Sequence, residues 1–214
     1  MAKAEIQSLK TILDAAAVGQ FPPADERNTI LTQPSARDAG VIAFAGHSVI
    51  FTDADPAWVA HQLPAGDVAA PMSPSFLAAL ATRTGRIAHG TDVLTCAPPL
   101  PGAPSLDLAA EADPGHPRVV RALRYRDDVR AFETAGGVVL IGRGIAGRWE
   151  VAVEVEDGAR GRGLGRALAL AARHLVPDGA PLWAQIAPGN AASVRAFLAA
   201  GFRPVGAESL LVPA

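Results

Sequence analysis

The chain has a single cysteine, Cys96, among its 214 residues. One thiol excludes an internal disulfide framework and any zinc or iron–sulfur site built from several cysteines. Lysine is almost as scarce. Lys3 and Lys10 are the only two, so arginine supplies the other 17 of the 19 basic residues. Tyrosine occurs once, as Tyr125, and aromatics make up 5% of the chain. No apolar run approaches the roughly 20 residues that span a bilayer. The N-terminus carries Glu5, Lys10 and Asp14 and lacks the apolar centre of a signal peptide, so a cytoplasmic protein with no membrane partner is expected. A formal net charge of −2 gives no basic excess that would point to nucleic acid.

What the chain has instead is alanine, 45 residues of it, within a hydrophobic content of 50%. That is a soluble globular composition, enough for one large domain or two small ones. The near-neutral total conceals a division. Residues 1–110 hold 6 basic and 10 acidic groups, net −4, and residues 111–214 hold 13 and 11, net +2. An anionic ligand therefore suits the second half.

Apolar spacing at Ile6, Leu9, Leu13 and Ala16–Ala17 predicts a first helix, stopped by Gly19. Residues 41–52 read as two short strands around Ala45–Ser48. Asp55-Pro56 and Ser73-Pro74 each open a helix, the second burying Phe76, Leu77 and Leu80. Residues 86–96 return to strand-like sequence. Six prolines then interrupt residues 97–117, which read as a linker or an ordered crossover. Beyond it, residues 128–135 and 138–145 form a hairpin pattern around Gly136-Gly137, and residues 149–156 alternate strictly. In that strand Val151, Val153 and Val155 share one face and Glu150, Glu154 and Glu156 the other. A helix over about 164–176, a strand at 181–187, a helix at 191–200 and a strand near 205–212 complete the chain.

Two glycine clusters stand out. Gly142 to Gly147 fits GxGxxG, but a strand follows it and not the helix that a dinucleotide site requires. It reads as a turn between antiparallel strands. The second cluster, Arg160-Gly161-Arg162-Gly163-Leu164-Gly165, lies between a strand and an amphipathic helix. Such a loop turns consecutive backbone N–H groups toward an anion, and glycine permits close approach. Arg160, Arg162 and Arg166 gather at the positive end of that helix, where cations cost stability. A bound pyrophosphate reverses that cost.

In this context the second half resembles the GNAT superfamily of acetyl-CoA-dependent N-acyltransferases, over about residues 125–212. Val153-Glu-Val155 resembles the strand whose backbone pairs with the pantetheine arm. Arg160–Gly165 is similar to the family's pyrophosphate loop. Residues 181–187 match the strand that splays to admit the cofactor. Asn190 to Phe202 resembles the helix that follows. The fold implied is mixed α/β, a largely antiparallel sheet flanked by helices. Residues 118–214 would form the acetyl-CoA-binding core and residues 1–110 an additional N-terminal α/β lobe that shapes the acceptor site or is a diverged partner domain.

The resemblance implies direct transfer of an acetyl group from acetyl-CoA, as co-substrate, to a small amine or peptide amine, without a metal. The cofactor-binding residues would be Val153, Val155, Arg160, Gly161, Arg162, Gly163, Leu164, Gly165, Arg166, Asn190 and Ser193. The amide of Val153 or a neighbour would polarise the thioester carbonyl. Glu150 is the first candidate base and Glu154 the second. Phe197 stands where many family members carry a proton-donating tyrosine, a departure that keeps a non-catalytic acyl-CoA-binding module in play. Cys96 reads as a small buried residue, and no pair among the five histidines has metal-ligand spacing. The oligomeric state is open, a homodimer included.

Overall fold

A computed structural model describes residues 8–110 and 112–214, with the backbone alone at Ala110. Ile6, expected on the first helix, lies outside the described residues. The chain divides into two units. The first runs to Val93 and takes back Val205–Ala214; the second is Leu94–Pro204. Residues 94–110, expected with the N-terminal lobe, lie in the second of these units, and residues 205–214, expected with the core, in the first. The proline-rich segment belongs to the second unit, and the last strand returns to the first.

In the first unit, α1 (Leu9–Ala17) starts at Ser8, whose Oγ accepts the Thr11 N–H. Strands β1 (Arg27–Thr32), β2 (Ala39–Phe44) and β3 (His47–Thr52) follow. A two-residue turn, Ala45-Gly46, joins β2 to β3, so His47 and Ser48 lie in the strand and not in the turn. Helices α2 (Pro56–His61) and α3 (Pro74–Thr84) begin at Asp55 and Ser73, each side chain accepting an N–H of the first turn. β4 (Arg86–Ala97) and β10 (Arg203–Pro213) carry the chain between the units. The sheet runs β1-β3-β2-β10, with β1 and β3 parallel and the other pairs antiparallel. Phe76, Leu77 and Leu80 of α3 pack on Val41, Ile50 and Leu211, as their spacing predicts.

In the second unit, the described residues between 97 and 117 form an ordered crossover. The Leu100 N–H donates to the Arg173 carbonyl, Arg173 Nε donates to the Pro98 carbonyl, and His174 Nδ1 donates to the Pro101 carbonyl. A two-residue strand, β5 (Ala109–Ala110), closes it. Next comes α4 (Pro117–Tyr125), which periodicity missed. It is short and arginine-rich, opens at Pro117, and buries Val119 and Ala122 while Val120 and Leu123 stay exposed. β6 (Asp127–Thr134), β7 (Gly137–Arg143) and β8 (Trp149–Val155) form an antiparallel meander. The Gly142–Gly147 cluster makes the β7–β8 turn, as expected. α5 (Leu164–Leu175), β9 (Leu182–Ile186) and α6 (Ala191–Ala199) follow, in the sheet order β9-β8-β7-β6-β5.

Both faces of this sheet are covered. Val139, Ile141, Trp149 and Val151 pack with Leu168 of α5 and Phe197 of α6, while Val138, Leu140 and Ala152 meet α4. That is why β7 reads as a continuous apolar run, where a sheet with one solvated face alternates. The architecture is mixed α/β with largely antiparallel pairing.

Candidate active site

The site grows from β8. Along its β7 side the ladder is complete and regular, from Trp149 opposite Arg143 to Val155 opposite Gly137. No bulge interrupts it, so the valine and glutamate faces stay as the alternation sets them. On the β9 side pairing is confined to Trp149 with Leu182 and Glu150 with Trp183. Both strands continue past that point, yet they no longer pair. Val151 to Val155 therefore have a strand neighbour on one side only. Apart from the Val155 carbonyl, which accepts from Arg160 Nε, the backbone groups turned away from β7 need partners, and an extended ligand chain inserted there can supply them.

β8 leads through a 3-10 turn, Asp157–Ala159, into the glycine–arginine loop. Gly161 and Gly163 hold φ of +74° and +85°. An L side chain is strained in that left-handed region. Gly163 is the N-cap of α5, so no side chain caps the helix and no acidic residue lies in its first turn. The first N–H groups of α5 thus point out of the helix with no side-chain acceptor. Arg162 and Arg166 are exposed beside them. Arg160 folds back, with Nη2 2.8 Å from Asp157 Oδ1 and Nε donating to the Val155 carbonyl.

Gly165 sits in the first turn of α5. A methyl group there would stand 3.6 Å from Val155 and 3.9 Å from Ala196. The end of β8, the start of α5 and one face of α6 therefore meet at this point. Asn190 caps α6, its Oδ1 accepting the Ser193 N–H at 3.1 Å. Leu164 and Ser193 are half-buried. The donor set of unpaired strand amides, uncapped helix amides, left-handed glycines and free arginines fits an extended ligand ending in a diphosphate.

The two glutamates differ. Glu150 is buried and saturated with donors. Arg148 Nε donates to its Oε1 at 2.9 Å and Gln185 Nε2 to the same oxygen at 3.0 Å, while Arg126 Nε donates to Oε2 at 2.9 Å. Gly144 makes room for it, since a Cβ at that position would overlap the Glu150 carboxyl. Burial alone would raise the Glu150 pKa, but the charges of Arg148 and Arg126 outweigh it and hold the carboxyl at about 2. So weak a base, with donors on both oxygens, is poorly suited to take a proton from an ammonium. Glu150, the first candidate base, lies as a buried anion between β8, β9 and the end of α4. Glu154 lies on the same face and accepts from Arg118 Nε at 2.9 Å, but both side chains are partly exposed. It is the accessible carboxylate of the strand.

Phe197 is buried in the core, edge-on to Phe202 with ring centroids 4.9 Å apart. Tyr125, at the end of α4, lies beneath the guanidinium groups of Arg121 and Arg124, at 5.5 and 5.4 Å. Cys96 is buried, and burial pushes its thiol up to about 12 against a smaller opposing effect of Arg148. No group of three His, Cys, Asp or Glu side chains is placed to hold a metal among the described residues. Among them, too, no helix is long and apolar enough to cross a membrane.

Sequence reasoning missed Arg126, Arg148 and Gln185. Arg148 and Glu150, two apart at the start of a strand, carried a readable signal of same-face pairing. Arg126 and Gln185 lie 24 and 35 positions from Glu150 and carried none.

No family model and no curated protein matches the chain. Solved structures similar to it include a GCN5-related N-acetyltransferase from Kribbella flavida, at 20% identity and TM-score 0.42, covering 64% of this chain and 64% of that one. Another is a putative acetyltransferase of the GNAT family from Novosphingobium aromaticivorans, at 20% identity and TM-score 0.41, covering 59% of this chain and 66% of that one. The chain thus spans less than two thirds of either.

Proposed function

We propose that the second unit is an N-acetyltransferase that moves the acetyl group of acetyl-CoA directly to a primary amine within a ternary complex. The observation that carries this reading is the end of β8–β9 pairing after Glu150 and Trp183, with the uncapped α5 loop beyond it. Backbone groups of Val153 and Val155 would hold the pantetheine arm. The N–H groups of Gly161 to Gly165, with Arg160, Arg162 and Arg166, would hold the diphosphate. Asn190 shapes the start of α6, and Ser193 borders the same space.

Acetyl-CoA supplies an acyl carbon bonded to a good leaving group, the thiolate. The chain's own work is to place a strand N–H where the thioester oxygen gains charge and to receive the amine's proton. Glu154, not Glu150, is the carboxylate assigned to that proton, directly or through a water. With phenylalanine at 197 the thiolate leaves without a proton from α6. The acceptor is a small amine or peptide amine, and cytoplasm is the proposed location.

Calorimetric titration with acetyl-CoA tests binding, and the double variant Arg162→Ala/Arg166→Ala is expected to weaken it at least about tenfold. Thiol release on an amine panel tests turnover. Glu154→Gln is expected to lower it about 100-fold or more with acetyl-CoA affinity kept. The buried Phe197 and the saturated Glu150 favour a second reading, a non-catalytic acyl-CoA-binding module. Binding without thiol release on any amine would establish that one, and no binding at millimolar acetyl-CoA would refute both.

A further inference from the structure

In the first unit, far from the glycine–arginine loop in sequence, three side chains form a relay. His47, buried at the start of β3, has Nδ1 2.8 Å from Asp25 Oδ1 and Nε2 2.8 Å from Thr29 Oγ1. The order of protons follows from chemistry. A carboxylate only accepts, so Nδ1 carries the hydrogen and donates it to Asp25. With the ring in its neutral form, Nε2 is the acceptor for the Thr29 hydroxyl. The His47 hydrogen bond, ahead of the smaller opposing effect of burial, lowers the Asp25 carboxyl below its ordinary value and keeps it anionic.

The backbone is arranged to hold this. Glu26, directly after Asp25, is a non-glycine residue at φ +57°, and its N–H donates to the Gly46 carbonyl at 2.9 Å. That bond pins the Asp25 turn to the residue before His47. Asp25 Oδ1 also accepts the Arg27 N–H at 3.1 Å. Strain of this kind collects at functional sites. Among the described residues β1 is an edge strand, paired only with β3, so every second N–H along it points away from that ladder, the type of donor that an oxyanion takes. Thr29 is half-buried.

We propose that Asp25, His47 and Thr29 form a second catalytic site, one that cleaves carboxylic esters through an acyl-threonine intermediate. Thr29 Oγ bonds to the ester carbonyl carbon as its proton passes to His47 Nε2. The carbon–alkoxide bond breaks, and the alkoxide leaves as an alcohol with that proton. Water then attacks the acyl-threonine, giving its proton to Nε2, and Thr29 recovers a proton as the carboxylic acid departs. Asp25 holds the imidazole tautomer throughout.

The full chain is incubated with a fluorophosphonate, digested and read by mass spectrometry, and p-nitrophenyl acetate hydrolysis is followed in parallel. A stable adduct on Thr29, also formed by Thr29→Ser, is expected. Thr29→Val should lose the adduct and slow hydrolysis at least about tenfold, with its thermal melt checked for folding. An unmodified Thr29 in the wild-type chain, or hydrolysis in folded Thr29→Val that slows less than this, would overturn the proposal and leave the relay a structural bridge. Should Thr29→Val fail to fold, the wild-type and Thr29→Ser adducts decide alone.

Discussion

Replacing Glu150 by glutamine separates a structural anion from a catalytic base. The carboxylate takes three donors: Arg148 Nε and Gln185 Nε2 on one oxygen, Arg126 Nε on the other. An amide keeps one acceptor oxygen, and its NH2 turns a donor toward a donor. At least one buried guanidinium loses its carboxylate acceptor, and breaking a buried ion pair costs about 3–5 kcal/mol. The pH dependence gives an independent figure. The folded carboxyl titrates at about 2 against an ordinary 4.5, which corresponds to about 3 kcal/mol. The folded value is depressed, so this stability is complete above the unfolded pKa and is lost as pH falls from about 5 toward 2.

Urea unfolding of both proteins at pH 7 and near pH 3 reads this directly. Glu150→Gln should lose about 3 kcal/mol at pH 7, roughly 10 °C in melting temperature for a chain of this size. The gap between the two proteins should narrow toward pH 3. Equal unfolding midpoints at pH 7, with turnover alone abolished, would refute the reasoning and restore Glu150 as a base.

Gly144→Ala should destabilise by a similar route, because its methyl overlaps the Glu150 carboxyl, and thermal melting checks it. Phe197→Ala should cost about 3–5 kcal/mol for a lost buried ring, whereas Phe197→Tyr should lower stability without raising kcat, since its hydroxyl enters a core that offers no identified partner. Cys96 should resist iodoacetamide at pH 8 until the chain unfolds, as burial holds the thiol near 12.

Much of the scaffold was readable in advance. Ser73-Pro74 and Asn190 start helices because a side-chain oxygen serves the free N–H groups within three residues, and Gly201 follows α6 as a stop. The alternation in β8 declared its two faces, and valine at every second position after Gly147 excluded a dinucleotide site. All of these depend on neighbours within a few positions. α4 was missed although its signal is local too: Pro117 opens it, Val119 and Ala122 face the sheet, and Arg118, Arg121 and Arg124 recur at helical spacing on other faces.

The candidate site divides along the same line. The left-handed glycines and the arginines at the head of α5 are local properties, and the sequence by itself determined them. Tertiary structure alone decided where β8 and β9 part, because that depends on the register of strands separated by α5. It decided that Phe197 turns into the core against Phe202. It decided what Glu150 is: a carboxylate whose pKa is set by Arg126 and Arg148 and whose hydrogen bonds reach Gln185, groups brought together only by folding. A titratable group takes its chemistry from the charges and the solvent around it. Those are long-range facts that spacing along a chain does not carry.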